Sequence, residues 1–97
     1  MILRVRYSAA ARKDLIAIKA WTTQAFGPAQ AASYVRQIES AMKFAAQNPG
    51  LARSAATVSP GILKTVAGSH IVYFRQADSG LLVMRILHGK MDAMKWL

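Results

Sequence analysis

The sequence predicts an α+β fold built from an N-terminal strand, an antiparallel helical hairpin and a three-stranded C-terminal meander, with the helices on one face of the sheet. Three observations carry this. Residues 2–7 alternate in polarity, residues 9–48 hold two stretches with apolar side chains every three or four positions, and residues 61–88 divide into three β-like runs at turn signals. The last run, LLVMRIL at 81–87, is apolar on both alternating phases apart from Arg85. A strand reads that way when both faces are covered, so this one is expected in the middle of the sheet.

In the first strand Leu3, Val5 and Tyr7 share one phase and Ile2, Arg4 and Arg6 the other, which gives one core face and one basic face. Ser8 follows as a helix N-cap, its hydroxyl able to accept from a free N–H of the first turn. Ala11, Leu15, Ile18, Trp21, Thr22 and Ala25 then recur at helical steps, predicting a helix over 9–25 with Trp21 in the core of the hairpin. Gly27-Pro28 stops it and starts another, because proline is tolerated in a first turn. Ala31, Tyr34, Val35, Ile38, Ala41, Met42 and Ala45 keep helical spacing up to the stop at Asn48-Pro49-Gly50. Isolated helices of this length are marginal in water, so the sheet must supply the other half of their core.

Residues 51–60 are small and polar with a single charge, Arg53, and read as a loop. Strands are expected at 62–66, 70–76 and 81–88, joined by turns at 67–69 and 77–80. Gly89 ends the last strand, and residues 90–97 form a basic tail that carries Trp96. No central strand requires such a tail, so function is expected there and in the basic residues near it. Trp96 reads two ways: folded back on the sheet, or offered to a partner.

A chain of 97 residues is expected to be a single domain over 1–97, large enough to bury roughly 60 to 68 per cent of its unfolded surface. It has no cysteine, which excludes disulfides and thiolate metal sites and fits a reducing, cytoplasmic setting. The longest uncharged run, 20–35, is broken by Thr22, Thr23, Gln24 and Gly27-Pro28, so no membrane span is expected, and the N-terminus does not read as a signal peptide. Thirteen Lys and Arg against four Asp and Glu give +9 and a pI near 10.7. The excess is even: residues 1–48 carry seven positive and two negative charges, residues 49–97 six and two. Such a surface attracts polyanions, meaning nucleic acid, proteins that handle it, or an acidic partner chain.

Three routes to catalysis are missing. The carboxylates Asp14, Glu39, Asp78 and Asp92 fall on separate elements with no pairing, so joint acid and base work is not expected. Gly61, Gly68 and Gly80 fall singly and build no phosphate loop, and Ser69, His88 and Asp92 lack a nucleophile elbow. The remaining candidate is Lys64, Arg75, Arg85 and His88, which could grip RNA phosphates and assist cleavage. If the turn sets Gln76 opposite Leu81, Val72 faces Arg85, and both Arg75 and His88 fall on the face opposite to Arg85. The cations are then not gathered on one surface, unless a bulge or a one-residue slip intervenes.

Tyr7-Ser8, Ala11, Asp14-Leu15 and Ile18 resemble the N-terminal signature of the ParE toxins of bacterial toxin–antitoxin modules. Gly68-Ser69-His70-Ile71-Val72-Tyr73-Phe74-Arg75 looks like their third strand, and Arg85-Ile86-Leu87-His88-Gly89-Lys90-Met91-Asp92 matches their most recognisable stretch. The resemblance covers the whole chain. One departure is Leu63-Lys64, where many members have an arginine. The resemblance implies a RelE/ParE-like fold and a toxin held inactive by a ParD-like antitoxin in a hetero-oligomer, with DNA gyrase as the usual target. The alternative within the superfamily is a RelE-like ribosome-dependent mRNA endonuclease. An antitoxin that is acidic and partly disordered until bound fits the charge of this chain. The residues expected to meet target or antitoxin are Arg4, Arg6, Lys64, Arg75, Arg85, His88, Lys90, Lys95 and Trp96; no catalytic residue, cofactor or metal is expected.

Overall fold

A computed structural model describes residues 4–56, 58–77 and 80–97. Strand β1 (Arg4–Tyr7) leads into helices α1 (Ala9–Phe26) and α2 (Pro28–Gln47). A 3-10 turn (Pro49–Leu51) and a two-residue strand β2 (Arg53–Ser54) precede β3 (Leu63–Ala67), β4 (His70–Ala77), β5 (Gly80–His88) and a short C-terminal helix α3 (Ala93–Trp96). The five strands form one sheet in the order β1-β5-β4-β3-β2, parallel between β1 and β5 and antiparallel elsewhere. This is the α+β arrangement the sequence predicts. Strand β5 is interior, though β4 holds the central place. The predicted contributions of Ile2 and Leu3 to the first strand, and of Asp78-Ser79 to the last turn, lie outside the described residues.

Local chemistry sets each boundary. The Ser8 hydroxyl accepts from the Ala11 N–H at 3.0 Å and donates to the Met84 carbonyl at 2.7 Å, so the cap that starts α1 also fixes it to β5. Gly27, at φ +93, ends α1 and begins α2, with Pro28 in the first turn. Gly68, at φ +59, forms the β3–β4 turn against the Tyr34 ring, where a Cβ would come within 2.6 Å of Cε1.

Both helices lie on one face of the sheet. Ala11, Ile18 and Thr22 of α1 and Ala31, Ile38, Met42, Ala45 and Ala46 of α2 turn inward. Ile38 and Met42 meet Val72, Phe74 and Val83 in the fully buried centre. Trp21 departs from expectation: it is 64 % exposed and sets its edge against Phe26, the rings 6.0 Å apart. The reason is angular. At about 100° per residue, Ile18 and Thr22 fall within about 20° of Ala11, whereas Trp21 falls about 80° round, on the flank of the helix.

The opposite face has a smaller core that the sequence reading lacked. Tyr73 and Leu87 pack there with Ala55, Ile62 and Ala93. The stretch read as a plain loop thus supplies β2 and a cover for the sheet, tied by the Ala55 N–H donating to the Ile62 carbonyl at 2.8 Å. The tail contributes Ala93 to the same cover.

Candidate functional site

Register decides where the basic residues go. Strands β4 and β5 pair from Ala77↔Gly80 to Phe74↔Val83, with Gln76 opposite Leu81 as expected. The pairing then jumps to Tyr73↔Arg85, leaving Met84 as the extra residue of a β-bulge. The expected opposition of Val72 and Arg85 is corrected by that bulge: Val72 faces Ile86. Because side chains alternate, Arg75 and Arg85 now share the face away from the helices.

Two transverse rows result on that face. One runs Arg6, Leu82, Arg75 across β1, β5 and β4; the other runs Arg85, Tyr73, Lys64, Arg53 across β5, β4, β3 and β2. Arg4 lies two residues from Arg6 on the same phase, since Val5 and Tyr7 pack into the helix-side core. Arg53 and Lys64 are directly paired, and such side chains stand roughly 4.5–5.5 Å apart at Cβ, so these like charges repel and the face favours an anionic cover. Arg4, Arg6, Arg53 and Arg75 are exposed and Lys64 is half-buried. Tyr73, 5 % exposed, lies beneath the second core, and burial raises its pKa above the usual tyrosine value.

Each of the three nitrogens of Arg85 is engaged within the chain. Its Nε and Nη2 donate to the two Asp14 oxygens at 2.8 and 2.9 Å, and its Nη1 donates to the Trp96 carbonyl at 2.8 Å. Asp14 also accepts from the Ile86 N–H at 2.9 Å. Strand β1 ends opposite Val83, so the carboxylate takes over where β5 would otherwise have an unpaired edge. Its hydrogen bond, opposed by burial and helped to a smaller extent by its charge, raises the Arg85 pKa. The Trp96 ring centroid lies 5.8 Å from the guanidinium carbon, and the residue remains 49 % exposed, so it is both folded back and open to contact. Lys90 and Lys95 are exposed beside it in the tail.

His88 lies on the other side of the sheet, away from the cations, paired with His70. Their ring centroids are 5.4 Å apart. The His88 Nδ1 accepts from the Lys90 N–H at 3.2 Å. The Tyr34 hydroxyl accepts from the Ser69 N–H at 2.9 Å and shares a 2.6 Å hydrogen bond with the His70 Nδ1, with the Ala67 carbonyl 3.3 Å away. Burial, then His88, lowers the His70 pKa, with Asp14 opposing. This network floors an open pocket of about 560 Å³, walled by Ile18, Trp21 and Phe26. The sequence reading missed the pocket, Tyr34 and the clamp at Asp14. The signal available for the last was a lone carboxylate in the charged first half of an otherwise basic helix. Among the described residues no group of three or more metal-ligating side chains occurs, and no helix is long and apolar enough to cross a membrane.

Comparison with known proteins adds relatives to this geometry. The family model described as the ParE toxin of the type II toxin–antitoxin system parDE matches residues 5–93. The chain is 37 % identical over 93 residues to the toxin ParE1 of Mycobacterium tuberculosis, covering 95 % of each. It is 31 % identical over 88 residues to the toxin ParE1 of Caulobacter vibrioides, covering 91 % of each. A solved structure of the chromosomal ParDE system from P. aeruginosa superposes with a TM-score of 0.74 at 23 % identity, over 89 % of this chain and 95 % of that one, which shows a shared fold.

Proposed function

Since the chain belongs to the family of ParE toxins of type II toxin–antitoxin systems, we propose that it acts by binding rather than by cleavage. In this reading the cytoplasmic target is DNA gyrase, and a ParD-like antitoxin neutralises the toxin by laying an acidic, partly disordered segment over its cationic surface. The antitoxin's share is assigned Arg4, Arg6, Lys64 and Arg75, and the tail residues Lys90, Lys95 and Trp96, with Arg85 beneath them, are assigned to the target; His88, on the other face, stands apart. The observation that carries the reading is the state of Arg85. All three of its nitrogens are bonded within the chain, and His88 is on the opposite side of the sheet, so Arg85 and His88 do not converge on one phosphate.

One observation favours the second reading, a RelE-like endonuclease: the row Arg85, Tyr73, Lys64, Arg53 on a single face. Its tyrosine, however, is buried as part of the second core. The test is direct. Purified toxin should inhibit gyrase supercoiling and leave translated mRNA intact, and antitoxin affinity should fall with salt but persist, because apolar anchors share the work. Ribosome-dependent mRNA cleavage that disappears in a folded Lys64→Ala or Arg85→Ala variant would replace the binding reading with the nuclease one.

A further inference from the structure

In a chain of net charge +9, the pocket between α1 and the His70–His88 end of the sheet stands out: none of the described residues that line it is Lys, Arg, Asp or Glu. Its rim is two aromatic side chains that the core does not use, Trp21 at 64 % and Phe26 at 66 % exposed, held edge to face. Its floor is polar and pre-formed. The His88 Nδ1 accepts from the Lys90 N–H, which leaves Nε2 as that ring's donor, and the His70 Nδ1 is occupied by the Tyr34 hydroxyl, which leaves its Nε2 for a ligand. A concave apolar site with few fixed donors suits a bulky uncharged side chain and a nearby carbonyl. An acidic disordered segment gains nothing electrostatically there, whereas the cationic rows lie on the other face of the sheet.

We propose that this pocket seats a large apolar side chain of the folded protein that the toxin inhibits, and that the antitoxin's acidic segment is held separately, on the cationic face. The inference rests on the reading of the chain as a toxin that acts by binding. Continuity with the tail supports it. Asp14 and Trp21 lie on the same flank of α1, two turns or about 10 Å apart, and Asp14 is joined through Arg85 to Trp96. One partner surface can therefore cover the pocket and Trp96 together.

The test separates the two surfaces by mutation. Trp21→Ala and Phe26→Ala remove mostly exposed side chains, so melting should be nearly unchanged. The toxin concentration that half-inhibits supercoiling should rise about thirtyfold or more, as at an interface hot spot. Antitoxin affinity, measured by calorimetry at low and high salt, should stay within about twofold. The charge reversals Arg6→Glu and Arg75→Glu should do the converse, weakening the antitoxin and flattening its salt dependence. Growth arrest on expression without antitoxin is the readout that does not assume gyrase. If wild-type toxin leaves gyrase untouched but Trp21→Ala abolishes arrest, the pocket assignment stands and the gyrase reading falls. Unchanged inhibition and arrest in folded Trp21→Ala, or a parallel loss of antitoxin affinity, overturns the assignment.

Discussion

Replacing Asp14 by alanine should be among the most destabilising single substitutions outside the core. The carboxylate accepts from Arg85 twice and from the Ile86 N–H once, at 2.8 to 2.9 Å, with side-chain exposures of 20 % for Arg85 and 14 % for Asp14. Its loss leaves a guanidinium and a strand-edge N–H without their partner. Breaking a buried pair from one side costs about 3–5 kcal/mol. Water reaches a fifth of the Arg85 side chain, so the lower end, about 3 kcal/mol, applies. For a chain of this size that is a fall in Tm of roughly 12–24 °C. The assay is urea unfolding followed by circular dichroism, run as a cycle with Arg85→Met. The double variant should lose less than Asp14→Ala alone, because no orphaned charge remains. Limited proteolysis should cut the tail faster in Asp14→Ala, since Arg85 no longer holds the Trp96 carbonyl in place. A loss below about 1 kcal/mol would mean that the pair behaves as an ordinary surface ion pair, and the clamp reasoning would be wrong.

Gly68→Ala should cost about 2–4 kcal/mol, from the left-handed backbone and the collision with Tyr34, while Gly89→Ala, whose nearest neighbour would be the Ser69 carbonyl at 3.5 Å, should be near neutral; equal melting curves for the two would refute this. Stability should fall as pH drops below about 6.5, because the His70 pKa is lowered in the folded state and the unfolded chain takes up the proton first; a His70→Gln variant should show a flatter profile of Tm against pH, and an unchanged slope would place the effect elsewhere. A chain ending at Lys95 should stay folded, because Ala93 keeps its place in the second core and the loss is one charge-assisted hydrogen bond and a partly exposed cation–π contact, together about 2 kcal/mol. It should still bind antitoxin while its toxicity drops; full toxicity would remove Trp96 from the functional surface.

The parts of the fold set by local pattern were legible in the sequence. Alternation in Val5 and Tyr7, the Ser8 cap, the Gly27-Pro28 break and the turn at Gly68 each act through their own backbone, and the structure follows them. What was not legible depends on contacts between distant segments. The bulge at Met84 leaves no trace in LLVMRIL, because an extra residue changes no alternation when both phases are apolar. The second core is closed over Tyr73 and Leu87 partly by Ala55 and Ala93, side chains too small to announce a buried position. Trp21 was misplaced because a tryptophan near a helical stripe reads as core, although its angle sets it on the flank. Of the candidate site, residue type, charge, the basic phase of Arg4 and Arg6 and the opposition of His88 to Arg85 were readable, whereas the relation of Arg75 to Arg85 was not, since one bulge moves them onto the same surface.

Pairing the first strand with the last makes the timing of synthesis part of the fold. Ser8 and Met84, joined by a hydroxyl bond, are 76 residues apart, and β5 lies between β1 and β4, so β1 has no place in the sheet until β5 has been made. At roughly 5–20 residues per second that gap is about 4–15 s of translation. Through that interval the helical hairpin can form only marginally, with its inward stripe lacking the sheet. The cationic rows and the His70–His88 floor of the pocket both require β5. Neither proposed contact surface is therefore complete until β5 has been made, so the ability to meet a partner arrives with the last strand of the sheet.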